Sequence, residues 1–363
     1  MRIIISGGGT GGHVYPAIAI ANKLRDSGVE DIMFVGARGK LEMEKVPLNG
    51  FPIEGLWISG FHRQRKWRNF SFPFKLIFSL IKARKIIDKF KPDAVIGVGG
   101  YASGPLLKVA QGKNIPTLIQ EQNSYPGVTN KLLAKKASKI CVAYNNMDRF
   151  FDPHKLVITG NPVRKDLMHI DDLRSQATNY FDLVHNKKTI LIFGGSLGAK
   201  SINAAVEHQQ ALIGSLDDVQ IIWQVGKIYI DQYVDSDIAQ LSHVKVMPFI
   251  DRIDLAYSVA DVVVCRAGAL TISELCITGR PCVLVPSPNV AEDHQTMNAN
   301  ALVDEGAAYL VTDNAAKSEM IPKAIELIHD KDSQERLRSN LQRMAKPESS
   351  EMIVEEILKL IKK

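Results

Sequence analysis

Two glycine-rich segments of this sequence each follow an apolar run and precede a helical pattern. The first, which we call loop A, occupies residues 7–12 and comes directly after the apolar run 3–5. The second, loop C, occupies residues 194–199 after the apolar run 190–193. Backbone N–H groups in such a turn, with a helix N-terminus behind them, bind phosphate. Two of them, roughly one domain length apart, predict two nucleotide-type α/β domains and a diphosphate ligand.

A third glycine-rich turn, loop B, spans residues 99–105 after the apolar run 94–98. Its candidate ligand-binding residues are Gly100, Tyr101, Ser103 and Gly104. Ser103 is predicted to cap the helix that follows. Loops A and B would then lie at the carboxyl edge of one sheet, where open α/β sheets bind ligands, and could hold the diphosphate of an acceptor. The alternative is that loop B is only a tight turn.

His13 stands where the helix after loop A begins. A histidine there can take or orient a proton of whatever the loop binds, and the alternative is that it only caps or packs the loop. Dinucleotide binding would also require a carboxylate about 20 residues further on, at the end of the second strand. The run 32–35 ends instead in Gly36, Ala37 and Arg38, which leaves only an NADP interpretation through Arg38.

Polar side chains follow three further predicted strands. Residues 120–123, Gln-Glu-Gln-Asn, could bind sugar hydroxyls or cap the next helix. Glu274 follows the strand 261–265 on the first turns of a helix, within reach of a ribose diol, although a carboxylate there also suits the helix dipole alone. Gln295 and Asn298 share one face of a later helix and either bind hydroxyls or face solvent.

Composition fits a protein of two ordinary domains. The 363 residues are 45% hydrophobic and 23% charged, and the four cysteines show no metal-ligand spacing. The first 160 residues contain 24 Lys/Arg and 11 Asp/Glu, a net charge of +13, whereas the remainder carries −7. This asymmetry points to an anionic partner for the first half. The N-terminus is a predicted core strand rather than a signal peptide, and no run of about 18 apolar residues occurs, so we expect a cytoplasmic protein with reduced cysteines.

Apolar runs and helical patterns alternate along the chain, which is typical of parallel sheets covered by helices on both faces. Strands are predicted at 2–6, 31–36, 93–98, 115–119, 139–143, 155–159, 188–193, 219–225, 243–247, 261–265, 281–285 and 307–311. Helices are predicted at 15–27, 73–90, 103–112, 127–136, 199–212, 229–240, 251–259, 270–278, 293–304, 317–330, 333–345 and 352–361. We place the joint at 160–164, with an N-terminal domain 1–162, completed by the C-terminal helix 348–363, and a C-terminal domain 163–347.

The stretch 62–91 combines ten Lys/Arg and a single acidic residue, Asp88, with interleaved aromatic and aliphatic side chains. A helix with aromatic wedges and a basic flank suits the interface of an anionic membrane. The alternative is a core helix with a solvated basic face. Nucleic acid is not expected as a partner, because none of the usual nucleic-acid-binding motifs is present.

Taken in order, these segments resemble the MurG family, bacterial N-acetylglucosaminyltransferases of glycosyltransferase family 28. The matching residues are 8–13, 99–105, 121–123, 160–164, 194–199, 266–274 and 294–299, and the resemblance spans nearly the whole chain. Two departures are visible. Gln120 stands where the family has a histidine before Glu-Gln-Asn, and Arg252-Ile253 stands where an Asp-Met pair is common.

The resemblance implies the GT-B class of α/β fold, in which two Rossmann-like, doubly wound parallel-sheet domains face each other across a cleft. It implies inverting transfer of N-acetylglucosamine (GlcNAc) from UDP-GlcNAc to the 4-hydroxyl of MurNAc in lipid I, the undecaprenyl-diphosphate-linked pentapeptide. The product, lipid II, serves peptidoglycan synthesis and hence cell shape and division. The residues implied for UDP-GlcNAc are Thr10, Gly11, Gly12, Asn123, Arg164, Ser196, Ile250, Ala269, Leu270, Thr271, Glu274 and Gln295. Ile250 would meet uracil through its backbone, and Glu274 would meet the ribose hydroxyls.

His13 is predicted to act as the base or to position the acceptor hydroxyl, and Glu121 is the next candidate for the base. Arg164 and helix N-termini at Ser196 and Ala269 are expected to stabilise the leaving diphosphate in place of a metal. The sequence requires no cofactor and leaves a divalent cation possible. The Asp-Ser-Asp triplet 235–237 superficially matches a metal-binding Asp-x-Asp, but it falls in a predicted helix and is interpreted as surface.

Two other classes of function fit the same loops. An isomerase resembling UDP-GlcNAc 2-epimerase would share the fold and need no membrane surface. A non-catalytic, membrane-bound scaffold would bind without turnover. On the transferase interpretation the protein lies peripherally on the cytoplasmic face of the inner membrane, and its partners are UDP-GlcNAc, lipid I and the anionic membrane surface.

Overall fold

A computed structural model describes residues 1–60, 70–290 and 293–361 of the chain. The chain divides into two compact units. The first unit comprises Met1–Arg164 together with Lys346–Lys363, and the second comprises Lys165–Ala345. The division after Arg164 falls at the end of the segment 160–164, where the sequence places the joint.

The first unit contains a seven-stranded, fully parallel sheet in the order β3-β2-β1-β4-β5-β6-β7. Its strands are β1 (Arg2–Ser6), β2 (Asp31–Ala37), β3 (Ile53–Leu56), β4 (Ala94–Gly97), β5 (Thr117–Glu121), β6 (Lys139–Val142) and β7 (Leu156–Ile158). Its helices before the joint are α1 (Gly11–Asp26), α2 (Glu42–Leu48), α3 (Phe72–Phe90), α4 (Ser103–Gly112) and α5 (Val128–Ala134). The central strands β1, β4 and β5 are buried along nearly their whole length, because both faces of the sheet are covered.

The second unit contains a six-stranded parallel sheet in the order β10-β9-β8-β11-β12-β13. Its strands are β8 (Lys188–Phe193), β9 (Val219–Gln224), β10 (Val244–Met247), β11 (Val262–Cys265), β12 (Cys282–Leu284) and β13 (Tyr309–Leu310). Its helices are α6 (Arg174–Tyr180), α7 (Lys200–His208), α8 (Gln210–Gly214), α9 (Ile230–Tyr233), α10 (Ile253–Val259), α11 (Ala269–Thr278), α12 (His294–Val303), α13 (Ala316–His329) and α14 (Lys331–Met344).

The last helix, α15 (Ser349–Ile361), belongs to the first unit. Its residues Ile353, Val354 and Ile357 are buried in one cluster with apolar side chains of β1 and α1. At the helix surface, Lys23 Nζ lies 2.6 Å from Glu351 Oε1. The amphipathic pattern of this helix therefore covers a face of the first sheet.

Both sheets reverse their strand order at the same kind of place. In the first sheet β1 lies between β2 and β4, and in the second β8 lies between β9 and β11. Ligands of open α/β sheets bind at the carboxyl ends of the strands at this switch point. Loops A and B leave β1 and β4, and loop C and residues 266–268 leave β8 and β11, so the glycine-rich segments flank the two switch points.

Several elements differ from the prediction. The sequence did not predict β3, α2 or α6, which are short and lack a sustained period. The predicted helix 229–240 is wrong: α9 ends at Tyr233, and a 3₁₀ helix follows at Asp237–Gln240. Tyr233 and Ile238 both lie in the core, and five residues apart on a continuous α-helix they would point about 140° apart. In the triplet 235–237, the first two residues consequently lie in the turn after α9, and Asp237 is the first residue of the 3₁₀ helix.

All four cysteines, Cys141, Cys265, Cys276 and Cys282, are buried and form no disulfide. Burial raises the pKa of the Cys141 and Cys276 thiols to about 12. Among the described residues, no helix is long and apolar enough to cross a membrane.

Candidate active site

Loop A is held by Glu42, a residue of α2 that the sequence did not single out. The Gly9 N–H donates to Glu42 Oε2 at 2.7 Å, and the Ala37 N–H donates to Glu42 Oε1 at 2.9 Å. The Glu42 side chain is fully buried, and a Cβ on Gly8 would lie 2.1 Å from its carboxyl carbon. A carboxylate thus already accepts a loop A N–H group of the kind that was predicted to bind phosphate.

The predicted donor residues Thr10, Gly11 and Gly12 lie at the start of α1. Thr10 is the N-cap residue with an extended backbone, and its carbonyl accepts the N–H groups of His13 and Val14, each at 3.1 Å. Helix α1 therefore begins at Gly11, within the last residues of loop A, earlier than the predicted residue 15. This start places His13 in the first turn of the helix.

The His13 ring is oriented by Gln122. Nδ1 of His13 lies 3.1 Å from Gln122 Oε1, while Gln122 Nε2 donates to the Val98 carbonyl at 2.8 Å and to Gln120 Oε1. These two acceptors fix the orientation of the Gln122 amide, so its oxygen faces the histidine. An amide oxygen can only accept, so Nδ1 carries the hydrogen and Nε2 carries the lone pair in the neutral ring.

Loop B packs against loop A. A Cβ on Gly100 would lie 2.3 Å from the Gly8 carbonyl oxygen, and a Cβ on Gly99 would lie 2.6 Å from His13 Nδ1. Both glycines have positive φ, at +88° and +90° respectively. The predicted cap at Ser103 is wrong, because Ser103 is the first residue of α4 and its hydroxyl donates to the Gly100 carbonyl at 2.8 Å.

The other two loop B candidates differ in their surroundings. Tyr101 is half exposed, and its ring lies against Gly60, where a Cβ would approach the ring to 2.2 Å. Gly104 is in the first turn of α4, where a Cβ would lie in ordinary contact with Thr129. Loop B thus presents one large aromatic side chain beside the loop A junction.

The Glu121 carboxylate accepts hydrogen bonds from the segment that follows it. Its carboxylate accepts bonds from the Asn123 N–H at 3.0 Å, Asn123 Nδ2 at 3.2 Å, the Gly127 N–H at 3.1 Å and Asn130 Nδ2 at 2.8 Å. A group that holds four donors and is 2% exposed is poorly suited to accept a substrate proton. The geometry favours a role in positioning Asn123 over the predicted role of Glu121 as a base.

Arg164 is the last residue of the first unit, and its guanidinium carbon lies 5.8 Å from the centre of the Tyr15 ring. Tyr15 is two residues beyond His13 on α1. The first unit thus brings Arg164, Tyr15 and His13 to the same end of one helix.

Loop C in the second unit ends before its helix begins. Ser196 is exposed within the turn, whereas α7 starts at Lys200, so the prediction of a helix N-terminus at Ser196 is wrong. The Gly198 N–H closes the turn on the Gly195 carbonyl at 2.9 Å. Gly198 has a φ of +81°, and a Cβ there would lie 2.0 Å from the Val225 carbonyl oxygen, so the turn requires glycine.

Gln224, at the end of β9, connects loop C to the turn that contains Ile250. Its Nε2 donates to the Gly195 carbonyl at 2.9 Å, and its Oε1 accepts the Ile250 N–H at 2.8 Å. The Gln224 side chain is buried. Because the Ile250 N–H is engaged, a backbone contact from Ile250 to a base must come from its carbonyl.

Helix α11 begins at Ala269 with Gly268 as its N-cap residue, so Ala269, Leu270 and Thr271 form its first turn. Glu274 is one turn further along and is mostly buried. Its Oε2 accepts the hydroxyl of Tyr257 at 3.1 Å. This bond fixes the carboxylate beside the N-terminus of α11, the place from which it was predicted to meet a ribose.

A pocket of about 560 Å³ lies in the second unit. It is lined by Gly194, Gly198, Ala199, Lys200, Ser201, Ala204, Tyr229, Arg266, Ser287, Asn289, Gln295 and Asp313. Arg266 is anchored there by Asp313 Oδ1 at 2.6 Å and Ser201 Oγ at 2.7 Å. The pocket joins loop C to the predicted Gln295, whose Oε1 accepts the Ser287 N–H at 2.9 Å. The predicted residues Ser196, Ile250 and Glu274 are not among its lining residues.

Comparison with known families identifies both halves of the chain. Residues 3–142 match the glycosyltransferase family 28 N-terminal domain, and residues 189–357 match the glycosyltransferase family 28 C-terminal domain. The chain is a family 28 glycosyltransferase. The two Rossmann-like units described above are thus the two domains of a GT-B enzyme.

Individual relatives agree with this family assignment. A protein of Christiangramia forsetii, named UDP-N-acetylglucosamine--N-acetylmuramyl-(pentapeptide) pyrophosphoryl-undecaprenol N-acetylglucosamine transferase, is 51% identical over 99% of this chain and 98% of its own. The crystal structure of Acinetobacter baumannii MurG is similar with a TM-score of 0.75 at 29% identity, covering 99% of both chains. A UDP-GlcNAc 2-epimerase of Neisseria meningitidis, solved with UDP-GlcNAc, shares the fold alone, at 16% identity and a TM-score of 0.71 over 99% of this chain and all of its own.

Three side chains of this glycosyltransferase site were missed or misread from the sequence: Glu42, Gln122 and Gln224. Glu42 is the first residue of α2 and Gln224 is the last residue of β9, and no sequence motif surrounds either of them. Gln122 was one of four residues predicted to bind sugar hydroxyls or to cap the next helix, whereas it binds His13, the Val98 carbonyl and Gln120 Oε1. Among the described residues, no group of three His, Cys, Asp or Glu side chains is arranged to hold a metal ion.

Proposed function

We infer that this chain transfers GlcNAc from UDP-GlcNAc to the MurNAc of lipid I, giving lipid II for peptidoglycan synthesis. The observation that carries this conclusion is the near full-length relative, 51% identical, that is named as this transferase. The epimerase alternative is not favoured, because the epimerase that shares the fold is only 16% identical. A non-catalytic scaffold is equally disfavoured by a relative named for catalysis.

For the chemical step, we propose His13 as the base. The acceptor 4-hydroxyl oxygen attacks C1 of GlcNAc, its proton passes to His13 Nε2, and the bond from C1 to the diphosphate oxygen breaks. The electron pair of that bond leaves with UDP, so the configuration at C1 inverts. Gln122 supports this role because its Oε1 holds the hydrogen on Nδ1, so that Nε2 is the basic nitrogen of the neutral ring.

For the donor, we propose contacts from named residues of each unit. In the first unit these are Thr10, Gly11, Gly12, Asn123 and Arg164. In the second unit they are Ser196, Ile250, Ala269, Leu270, Thr271, Glu274 and Gln295. The first turn of α11 and the Arg164 guanidinium would stabilise the charge that develops on the leaving diphosphate. We propose that Gly100, Tyr101, Ser103 and Gly104 of loop B lie towards the acceptor diphosphate.

The test is transfer of radiolabelled GlcNAc to a lipid I analogue with a short, soluble prenyl chain. The labelled product should appear only when both UDP-GlcNAc and the analogue are present. A parallel reaction with UDP-GlcNAc alone tests for epimerisation at C2 of the sugar. Conversion of UDP-GlcNAc without an acceptor would overturn the transferase conclusion, and so would binding of UDP-GlcNAc without transfer.

We further propose that α3 binds an anionic membrane surface. Phe74, Ile77, Phe78 and Ile81 are exposed by half or more and recur at the spacing of one helix face, while Ala83, Ile86 and Ile87 face the core. Basic residues flank the exposed face on the same helix: Lys75, Lys82, Arg84, Lys85 and Lys89. An acceptor with an undecaprenyl chain lies in a membrane, so we propose peripheral attachment at the cytoplasmic face of the inner membrane.

This attachment is testable within the described residues. The cations Arg63, Arg65, Lys66 and Arg68 of the predicted stretch 62–91 lie outside them, so the variants are chosen on α3. Replacing Phe74, Ile77 and Phe78 with serine should release the protein from phosphatidylglycerol-containing vesicles in a sedimentation assay, because buried apolar groups and nearby cations both add to binding.

The matched control replaces three exposed residues of the second unit, Tyr180, Val184 and Val234, with serine. This control should still sediment with the vesicles. Transfer to the short-chain analogue should survive in the α3 variant. Equal sedimentation of the α3 variant and the unaltered protein would contradict the proposed surface.

A further inference from the structure

Glu42 is a fully buried carboxylate that no sequence motif and no step of the proposed transfer uses. Its two oxygens accept backbone N–H groups from two different segments, Gly9 in loop A and Ala37 at the end of β2. The structure therefore ties loop A to the neighbouring strand through one side chain from α2.

The backbone around Glu42 is shaped to receive it. A Cβ on Gly8 would lie 2.1 Å from the carboxyl carbon of Glu42, and a Cβ on Gly36 would lie 2.5 Å from its Cγ. Glycine at these two positions leaves the room that the side chain occupies. Two glycines that the sequence would assign to phosphate binding or to a tight turn are explained instead by the packing of this carboxylate.

Loop A connects Glu42 to His13 through a short path. Gly9 precedes Thr10, whose carbonyl accepts the His13 N–H in the first turn of α1. Gly8, which lies against the Glu42 carboxylate, also contacts Gly100 of loop B. A shift of Gly8 or Gly9 would therefore move the start of α1 and the ring of His13 relative to Gln122.

We propose that Glu42 is a positioning residue for the transfer: its carboxylate occupies loop A in the way that a phosphate occupies other glycine-rich loops, and thereby holds His13 in place. Loop A then does not bind the diphosphate of the acceptor, because a second anion would face the buried carboxylate. This inference rests on the proposed transferase function, since it concerns the presentation of its base.

The test compares Glu42→Gln with Glu44→Gln in the full-length enzyme, using the short-chain lipid I analogue. Glu44 is on the same helix and exposed, so its substitution makes the same chemical change without touching loop A. The amide of Glu42→Gln can accept only one of the two N–H groups. We expect its kcat to fall at least about fivefold while the Kd for UDP changes by less than about threefold. The control should change neither.

Chemical rescue separates positioning from general stability. In Glu42→Ala, formate fits the vacated volume and can accept the same two N–H groups, so formate should raise kcat at least about threefold above an equal concentration of chloride. The unaltered enzyme should not respond to formate. Thermal unfolding of each variant fixes an assay temperature at which the protein is folded.

The outcomes separate this inference from the proposed function. Failure of the unaltered enzyme to transfer GlcNAc overturns the function itself. With an active unaltered enzyme, a smaller loss of kcat in Glu42→Gln, or a larger change in UDP affinity, overturns the role of Glu42. A folded Glu42→Ala that formate does not restore overturns it too. If Glu42→Ala does not fold, the kcat and Kd of Glu42→Gln decide alone.

Discussion

Loops A and C follow the first strand of their sheets and are both glycine-rich, yet side chains of opposite character support them. In loop A the Glu42 carboxylate accepts the Gly9 N–H. In loop C the Gln224 amide donates to the Gly195 carbonyl and uses no N–H group of the loop. A glycine-rich turn at a switch point is therefore not by itself a phosphate site, because the side chain beneath it decides which backbone groups face a ligand.

The difference in charge between Glu42 and Gln224 separates the proposed functions of the two loops. A phosphate in loop A would lie beside the Glu42 carboxylate, which already accepts the Gly9 N–H, and two like charges at short range repel each other. The neutral Gln224 imposes no such penalty on loop C. We infer that loop C serves the UDP diphosphate. In loop A, the Gly9 side held by Glu42 serves the presentation of His13, and Thr10, Gly11 and Gly12 remain proposed donor contacts.

The largest predicted effect is on the base. His13→Ala should lower kcat by about 10²–10⁴-fold, the range for loss of general-base assistance, and should leave the KM for UDP-GlcNAc within about threefold. Steady-state kinetics with the short-chain acceptor measure both. A matched change on a solvent-exposed histidine, His208→Ala on α7, should alter neither. A loss of donor affinity with unchanged kcat would show that the His13 side chain contributes to donor binding rather than acting as a base.

The second prediction places a carboxylate beneath loop C, like the one that Glu42 places beneath loop A. Gln224→Glu still accepts the Ile250 N–H but loses the donor to Gly195 and adds a charge beneath the loop. The KM for UDP-GlcNAc should rise about a hundredfold from charge repulsion with the diphosphate. Gln224→Leu lacks the charge but leaves two backbone groups without this partner, and should raise KM about tenfold.

Gln232→Glu on the exposed face of α9 is the control for the added charge and should leave KM unchanged. Equal KM values for Gln224→Glu and Gln224→Leu would show that charge beneath loop C is irrelevant. The two loops would then differ only in which backbone groups their supporting side chains bind, and not in the effect of charge.

The sequence predicted the repeated strand–loop–helix order, because apolar runs and glycines are local signals. It also predicted the segments that surround both switch points. It could not predict Glu42 or Gln224, since Glu42 acts on loop A from 33 residues away and Gln224 acts on segments 29 and 26 residues away in the chain. Gly8 and Gly36 illustrate the reason. The sequence shows that these residues are glycines, but only the fold shows that the Glu42 side chain occupies the space beside them.

Errors in the secondary structure have similar causes. The predicted helix 229–240 had a continuous polar and apolar pattern, but burial of both Tyr233 and Ile238 requires a break between them. Helix α2 was missed because it spans only seven residues and contains Pro47. Its absence from the prediction removed Glu42 from consideration.

The smallest predicted effect concerns the neutral partner of His13. In Gln122→Glu a carboxylate faces Nδ1 and stabilises the protonated ring, whereas the reaction requires the neutral ring as a base. A higher pH is then needed to deprotonate His13, so the acid limb of the kcat profile should move upward by about one pH unit. Asn114→Asp adds the same charge at an exposed position and should leave the profile unchanged. An acid limb that does not move, or that moves to lower pH, would show that Gln122 does not control the protonation of the base.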